Sequence, residues 1–213
     1  MEQQFQYYAF ISYKREDEKW AKWLQDRLRW YKLPSKLCRQ ITRLPKKVWP
    51  VFRDNTDLDS GRLEENIRHE LERSHYLIVI CSPEAARSPW VGKEVKYFAT
   101  LHGADKIIPF VVSGIPYSND IETECIHEQI KAISQEELLA INVREEGIGS
   151  FAMKKKRAFI RVVARLLDIK FNTLWQPYER ILRIRKWSTG IGVVLFLFVL
   201  FILWDYYRTK NEY

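Results

Sequence analysis

The sequence is short of the residues that mark several common chemistries. Its 213 residues hold three cysteines, Cys38, Cys81 and Cys125. Their odd number and scattered spacing exclude a disulfide framework or a cysteine metal site and fit a reducing compartment. Four histidines, His69, His75, His102 and His127, show no ligand spacing, so no metal is expected. There is no Walker phosphate loop, no G-x-G-x-x-G turn and no nucleophile elbow. The opening MEQQFQYYAF has no basic region followed by an apolar core, so no cleavable signal peptide is expected. The length suits one domain with an appendage and is too small for two full domains.

What is abundant is positive charge, aromatic surface and one apolar run. The net charge of +8 calls for an anionic partner. Between Phe151 and Trp187 eleven Lys and Arg face only Asp168 and Glu179, and the rest of the chain is close to neutral. Charge placed just before an apolar run favours a membrane surface over nucleic acid, and no nucleic-acid partner is expected. From Thr189 the run TGIGVVLFLFVLFILW carries no charge. With Trp187 and Ser188 it makes about 18 residues, or roughly 27 Å of helix, close to a bilayer core. Trp187 stands at one end, and Trp204, Tyr206 and Tyr207 at the other, as in an aromatic belt.

A transmembrane helix is therefore expected over 187–207, with lipid contact there and on the basic flank. Arg180, Arg183, Arg185 and Lys186 precede it and only Arg208 and Lys210 follow, which places the N-terminal domain in the cytoplasm of a single-pass membrane protein. The expected units are a domain at 1–168, a basic helix or linker at 169–186, the span at 187–207 and a short tail at 208–213.

Before the run, strands alternate with helices. Strands are expected at Tyr7–Ser12, Val48–Phe52, His75–Ser82, Lys106–Val112 and Leu138–Val143, and helices at Glu16–Tyr31, Leu63–Arg73, Trp90–His102 and Phe151–Leu167. Lys32–Lys47 is basic, contains Pro34 and Pro45, and reads as a loop or short insertion. The fold class is α/β: a flavodoxin-like open parallel sheet of about five strands, order 2-1-3-4-5, with helices on both faces. In such a sheet the ligand crevice lies beyond the carboxyl ends of strands 1 and 3, where the winding reverses.

The residues placed there are suggestive as a set. Strand 1 ends in Ser12, Tyr13, Lys14 and Arg15; the loop after strand 2 opens with Arg53 and Asp54; Trp90 and Glu94 share a helix face four residues apart. A ring, a carboxylate, hydroxyls and cations suit an aromatic base on a sugar phosphate. Spacing alone leaves a plainer reading open for each: Glu94 as a solvated helix residue beside Lys93 or Lys96, Trp90 as core, Ser12 as a turn cap, Arg53 and Asp54 as partners, Arg15 as surface.

The stretches YYAFISYKREDEKWAKWLQDRL, VFRDNTDLDSG and LERSHYLIVICSPEAARSPWVGKEV, in that order, resemble three motifs of Toll/interleukin-1 receptor (TIR) domains over about residues 5 to 165. The layout resembles bacterial membrane-anchored members. Tyr8 stands where the family commonly has an acid, and Val91 where it has a cysteine. The resemblance implies an NAD glycohydrolase that releases nicotinamide, with NAD as substrate and no cofactor. It makes Glu94 the catalytic residue and Phe10, Ser12, Tyr13, Arg53, Asp54 and Trp90 the pocket lining; Arg15 is expected to bind substrate from its place at the end of strand 1. It also implies self-association through TIR–TIR contacts. The alternative it leaves is a non-catalytic adaptor that works through those contacts alone.

Overall fold

The run YLIVIC has no polar side to turn to solvent, and it forms the buried middle of a sheet. β3 (Ser74–Cys81) pairs in parallel with β1 (Tyr7–Ser12) on one side and β4 (Ile107–Val111) on the other. β2 (Val51–Arg53) and β5 (Ile141–Asn142) close the edges, giving the order β2-β1-β3-β4-β5, all parallel. The expected order is the one observed. This computed structural model describes residues 5–41, 44–45, 47–53, 61–133, 140–144, 150–176, 179, 196–202, 204 and 208.

Seven α-helices occur among the described residues of 1–169: α1 (Glu18–Trp30), α2 (Ser35–Gln40), α3 (Gly61–Glu72), α4 (Pro83–Ala86), α5 (Pro89–His102), α6 (Glu128–Ile133) and α7 (Phe151–Leu166). α2 lies in the expected basic insertion, and α4 falls between the expected strand at His75–Ser82 and the expected helix at Trp90–His102. Successive strand residues face opposite sides of the sheet. Phe10, Leu77 and Val79 join Ile67 and Leu71 of α3 and Val91, Val95 and Phe98 of α5 in one buried cluster. On the other face α1 and α7 cover the sheet: Trp23 stacks on Phe110 at 6.4 Å and meets the edge of Phe159 at 6.2 Å. Lys155 of α7 holds its ammonium 4.4 and 4.1 Å above the rings of Trp20 and Trp23.

His127 fastens the segment before α6 to the start of α5. Its Nδ1 accepts from the Gln129 N–H at 3.0 Å, so Nε2 carries the proton and donates to the Ser88 carbonyl at 3.1 Å. Burial lowers its pKa, and a second proton would point at the Gln129 N–H. The ring fits there only because residue 92 is glycine: a Cβ would lie 2.5 Å from His127 Cε1.

The chain divides into two compact units, Met1–Ile169 and Lys170–Tyr213. The run at 187–207 lies largely outside the described residues. Among the described residues no helix is long and apolar enough to cross a membrane. Residues 196–202 are helical, with Phe196, Phe201 and Trp204 beyond half exposed.

Gly92→Ala is expected to destabilise the domain by about 1–3 kcal/mol, the usual cost of overfilling a packed site. Combining it with His127→Ala should recover part of that loss in chemical denaturation. Strict additivity of the two substitutions would show that the glycine is not there for the histidine.

Candidate active site

The site is assembled by two short-range rules. Phe10 and Ser12 are two apart on β1 and face the same side, so the strand that buries Phe10 under α3 and α5 also aims Ser12 at α5. α5 begins at a fixed place: Ser88 caps it by accepting from the Val91 N–H, and Pro89 occupies its first turn. One turn further in, Trp90 and Glu94 share a face. The Ser12 hydroxyl donates to Glu94 Oε2, and both side chains are buried, at 1% and 5% exposure. A hydroxyl donating to a carboxylate is a charge-assisted bond, which a buried acid needs.

Glu94 also lines a cavity of about 310 Å³ between α3 and α5. Ile67 and Leu71 give it an apolar wall, Trp90 and Tyr97 supply rings, and Arg68, Lys93 and Lys96 supply cations. The Lys93 ammonium lies 5.6 Å from the Trp90 ring centre, and the Arg68 guanidinium 5.3 Å from that of Tyr97. Trp90 is half-buried against the core cluster. Such a cavity is at the small end of ligand pockets, roughly 300–1,000 Å³, with few polar groups on apolar walls.

The other expected residues are dispersed. Among the described residues Arg53 donates to the Gln25 side chain at 3.1 Å, to the Tyr13 hydroxyl at 3.1 Å and to Glu18 at 3.4 Å. It thus ties the end of β2 to α1 and to the residue after β1. Asp54 lies outside the described residues. Phe10 is fully buried and stacks on Phe52 at 5.2 Å, so it supports the site from within the core. Arg15 opens the 3₁₀ turn after β1 and is exposed.

A second acid at this end escaped the sequence reading. Asp17, in that 3₁₀ turn, is 8% exposed and accepts from the Ser82 hydroxyl at 2.5 Å. Ser82 in turn accepts from the Ala85 N–H as the cap of α4. Burial raises the Asp17 pKa, opposed by the Ser82 bond and helped by Glu84 and Glu16. Its signal was its place, since every polar residue just past β1 and β3 falls near the switch point. Burial also pushes the Cys125 thiol up to about 12 and Cys81 well above its ordinary value, so neither is a nucleophile near neutral pH. Among the described residues no group of His, Cys, Asp and Glu could hold a metal ion.

Fold and site together define an open parallel α/β domain with a serine-held carboxylate where the winding reverses. A family model described as TIR domain matches residues 9–146, and the chain belongs to that family. The chain is 36% identical over 110 residues, 51% of its length, to a protein of Actinoplanes sp. named NAD(+) hydrolase ApTIR, and the match spans 14% of that protein. It is also similar, at 14% identity and a TM-score of 0.47, to TIR domains in the activated Roq1 resistosome directly recognizing the pathogen effector XopQ. That match covers 72% of this chain and 98% of the other.

Asp17→Asn keeps an acceptor for Ser82 and removes a desolvated charge. Because the folded-state pKa is raised, the acid's contribution is complete below the ordinary aspartate range and is lost as pH rises through the folded value. Thermal melting of the variant should match wild type in acid and exceed it near neutral pH. A wild type that is the more stable at neutral pH would mean that the ionised carboxylate is favoured in the fold.

Proposed function

We propose that this domain cleaves the nicotinamide–ribose bond of NAD, with Glu94 as the catalytic carboxylate, and that residues 187–207 anchor it to a membrane with the domain on the cytoplasmic side. One observation carries the reading: a buried carboxylate, held by Ser12, lines a cavity that also offers rings and cations. Membership of the TIR family and similarity to a protein named NAD(+) hydrolase support it.

The chemistry asks little of the protein. Nicotinamide is cationic in NAD and leaves as a neutral base, so no acid need protonate it. Positive charge builds on the ribose as the bond lengthens, as in other glycosyl transfers. Glu94 would bind the ribose hydroxyls and stabilise that charge. Trp90 would pack on a base, and Lys93, Lys96 and Arg68 would face the phosphates. Water or another nucleophile then captures the ribosyl carbon, giving ADP-ribose or a cyclic or conjugated form. Self-association through TIR–TIR contacts accompanies the activity, and a membrane anchor raises the local concentration that favours it. The setting is signalling or antiviral defence.

The test is nicotinamide release by the full chain in vesicles at high surface density. Glu94→Gln should lower the rate by about 10²–10³, the usual cost of removing one electrostatic stabiliser. An unchanged rate would remove Glu94 from the reaction. An alkaline carbonate wash tests the anchor: the chain should stay with the bilayer, and its release would end that part of the reading.

A further inference from the structure

A second concentration of positive charge lies far from the crevice. From Arg27 to Phe52 there are eight Lys and Arg and no Asp or Glu. Topology places this stretch at the edge where the strands begin. α1 starts beyond the carboxyl end of β1 and runs back along the sheet, so its last turn reaches the opposite edge. There Arg29 lies 5.5 Å from the ring of Trp30 and 5.7 Å from that of Trp49, just ahead of β2. Arg27, Arg29, Lys32, Arg39 and Lys47 are all exposed, and so is Trp30, at 73%.

An indole so open, beside five exposed cations and a single exposed acid in the same turn, Asp26, is not needed by the core. Leu28, Leu33 and Leu37 already supply the buried contacts of this segment. Indoles prefer the headgroup layer of a bilayer, and clustered Lys and Arg prefer its anionic lipids. α7 brings the chain back to the same edge. Arg165 in its last turn donates to the Asp105 carbonyl at 3.4 Å, just ahead of β4, and the first unit ends at Ile169. Asp105, two residues ahead of β4, and Asp168, whose charge is felt at Tyr76 in β3, lie toward β3 and β4; Glu70 and Glu72 end α3 on the sheet face opposite α1, with Glu70 felt at Tyr7 at the start of β1.

We infer that the β1–β2 side of this edge, with Trp30 at its centre and Arg27, Arg29, Lys32, Arg39 and Lys47 around it, is a docking surface for anionic lipid headgroups. The domain lies with this edge on the bilayer and the Glu94 crevice turned away. The surface is built from the first unit alone and does not depend on the anchor or on the activity.

Hydrogen exchange of the full chain in nanodiscs tests it. Peptides covering Tyr31–Ser35 and Leu44–Trp49 should exchange several-fold more slowly in discs rich in phosphatidylserine than in phosphatidylcholine discs. High salt and the triple substitution R29E/K32E/R39E should each remove the difference, while exchange in β3 and β4 reports an intact fold. Trp30→Ser, which leaves the charge in place, should weaken the protection in part. Equal exchange in both lipids overturns the proposal. So does protection that appears only when an RNA oligonucleotide is added, which would assign the surface to nucleic acid. Carbonate washing reports the anchor separately. Chain that washes off is assayed by adding vesicles of the same two compositions, so the two readings fail independently.

Discussion

The hydrogen bond between Ser12 and Glu94 joins residues 82 apart in sequence, and the site stands or falls with it. A carboxylate at 5% exposure must be met by donors or it costs more than the packing around it returns. Meeting that demand constrains both partners. A slip of one residue in the pairing of β1 would turn Ser12 to the face covered by α1 and α7. A shift of one residue at the start of α5 would swing Glu94 by about 100° and out of the crevice. The register Ser12↔Val79, the Ser88 cap and Pro89 are therefore as much part of the site as the acid.

Two serine–acid pairs bracket the switch point, and they differ in kind. Both place a serine hydroxyl from the end of a strand, β1 in one case and β3 in the other, on an acid from a different element. Asp17 is spent on structure: its partner Ser82 is also the cap of α4, and the acid does not line the cavity beside Glu94. Burial and the nearby Glu84 and Glu16 disfavour its charge. Glu94 faces open volume shared with rings and cations, where a ligand can exchange for solvent. Geometry, more than chemical type, separates the acid that holds a turn from the acid that can act.

Much of this was legible because it rests on period and on winding. The continuous apolar run marked β3, the spacing of Trp90 and Glu94 placed both on one face of α5, and the reversal of strand order located the crevice before any distance was known. What was hidden depends on contacts between distant segments. Nothing in the neighbourhood of Arg53 along the chain pointed to Gln25, Tyr13 and Glu18, which it holds because α1 packs beside β2. Phe10 was expected to line the pocket, and the alternation that aims Ser12 at α5 drives Phe10 fully into the core. Asp17 looked like one charge in a charged run. Only the return of β3 beside β1 brings Ser82 to it. α2, at six residues, is too short for a periodic signal.

The same winding gives the domain a polarity. In a parallel sheet the helix that directly follows a strand starts at the edge that carries the crevice and runs back toward the other. A domain whose last element is a helix must therefore release its chain on the side away from its site. Here that helix is α7, and Arg165 pins its last turn to the Asp105 carbonyl ahead of β4. The first unit thus ends, at Ile169, on the side opposite Glu94 and the cavity between α3 and α5. A charged end of α1 at that same far edge adds no obstruction to the crevice. The chain also enters β1 from the far edge, so both ends of this fold lie away from the crevice. The freedom of the crevice is a consequence of strand direction and would persist through any change of side chains that kept the sheet parallel.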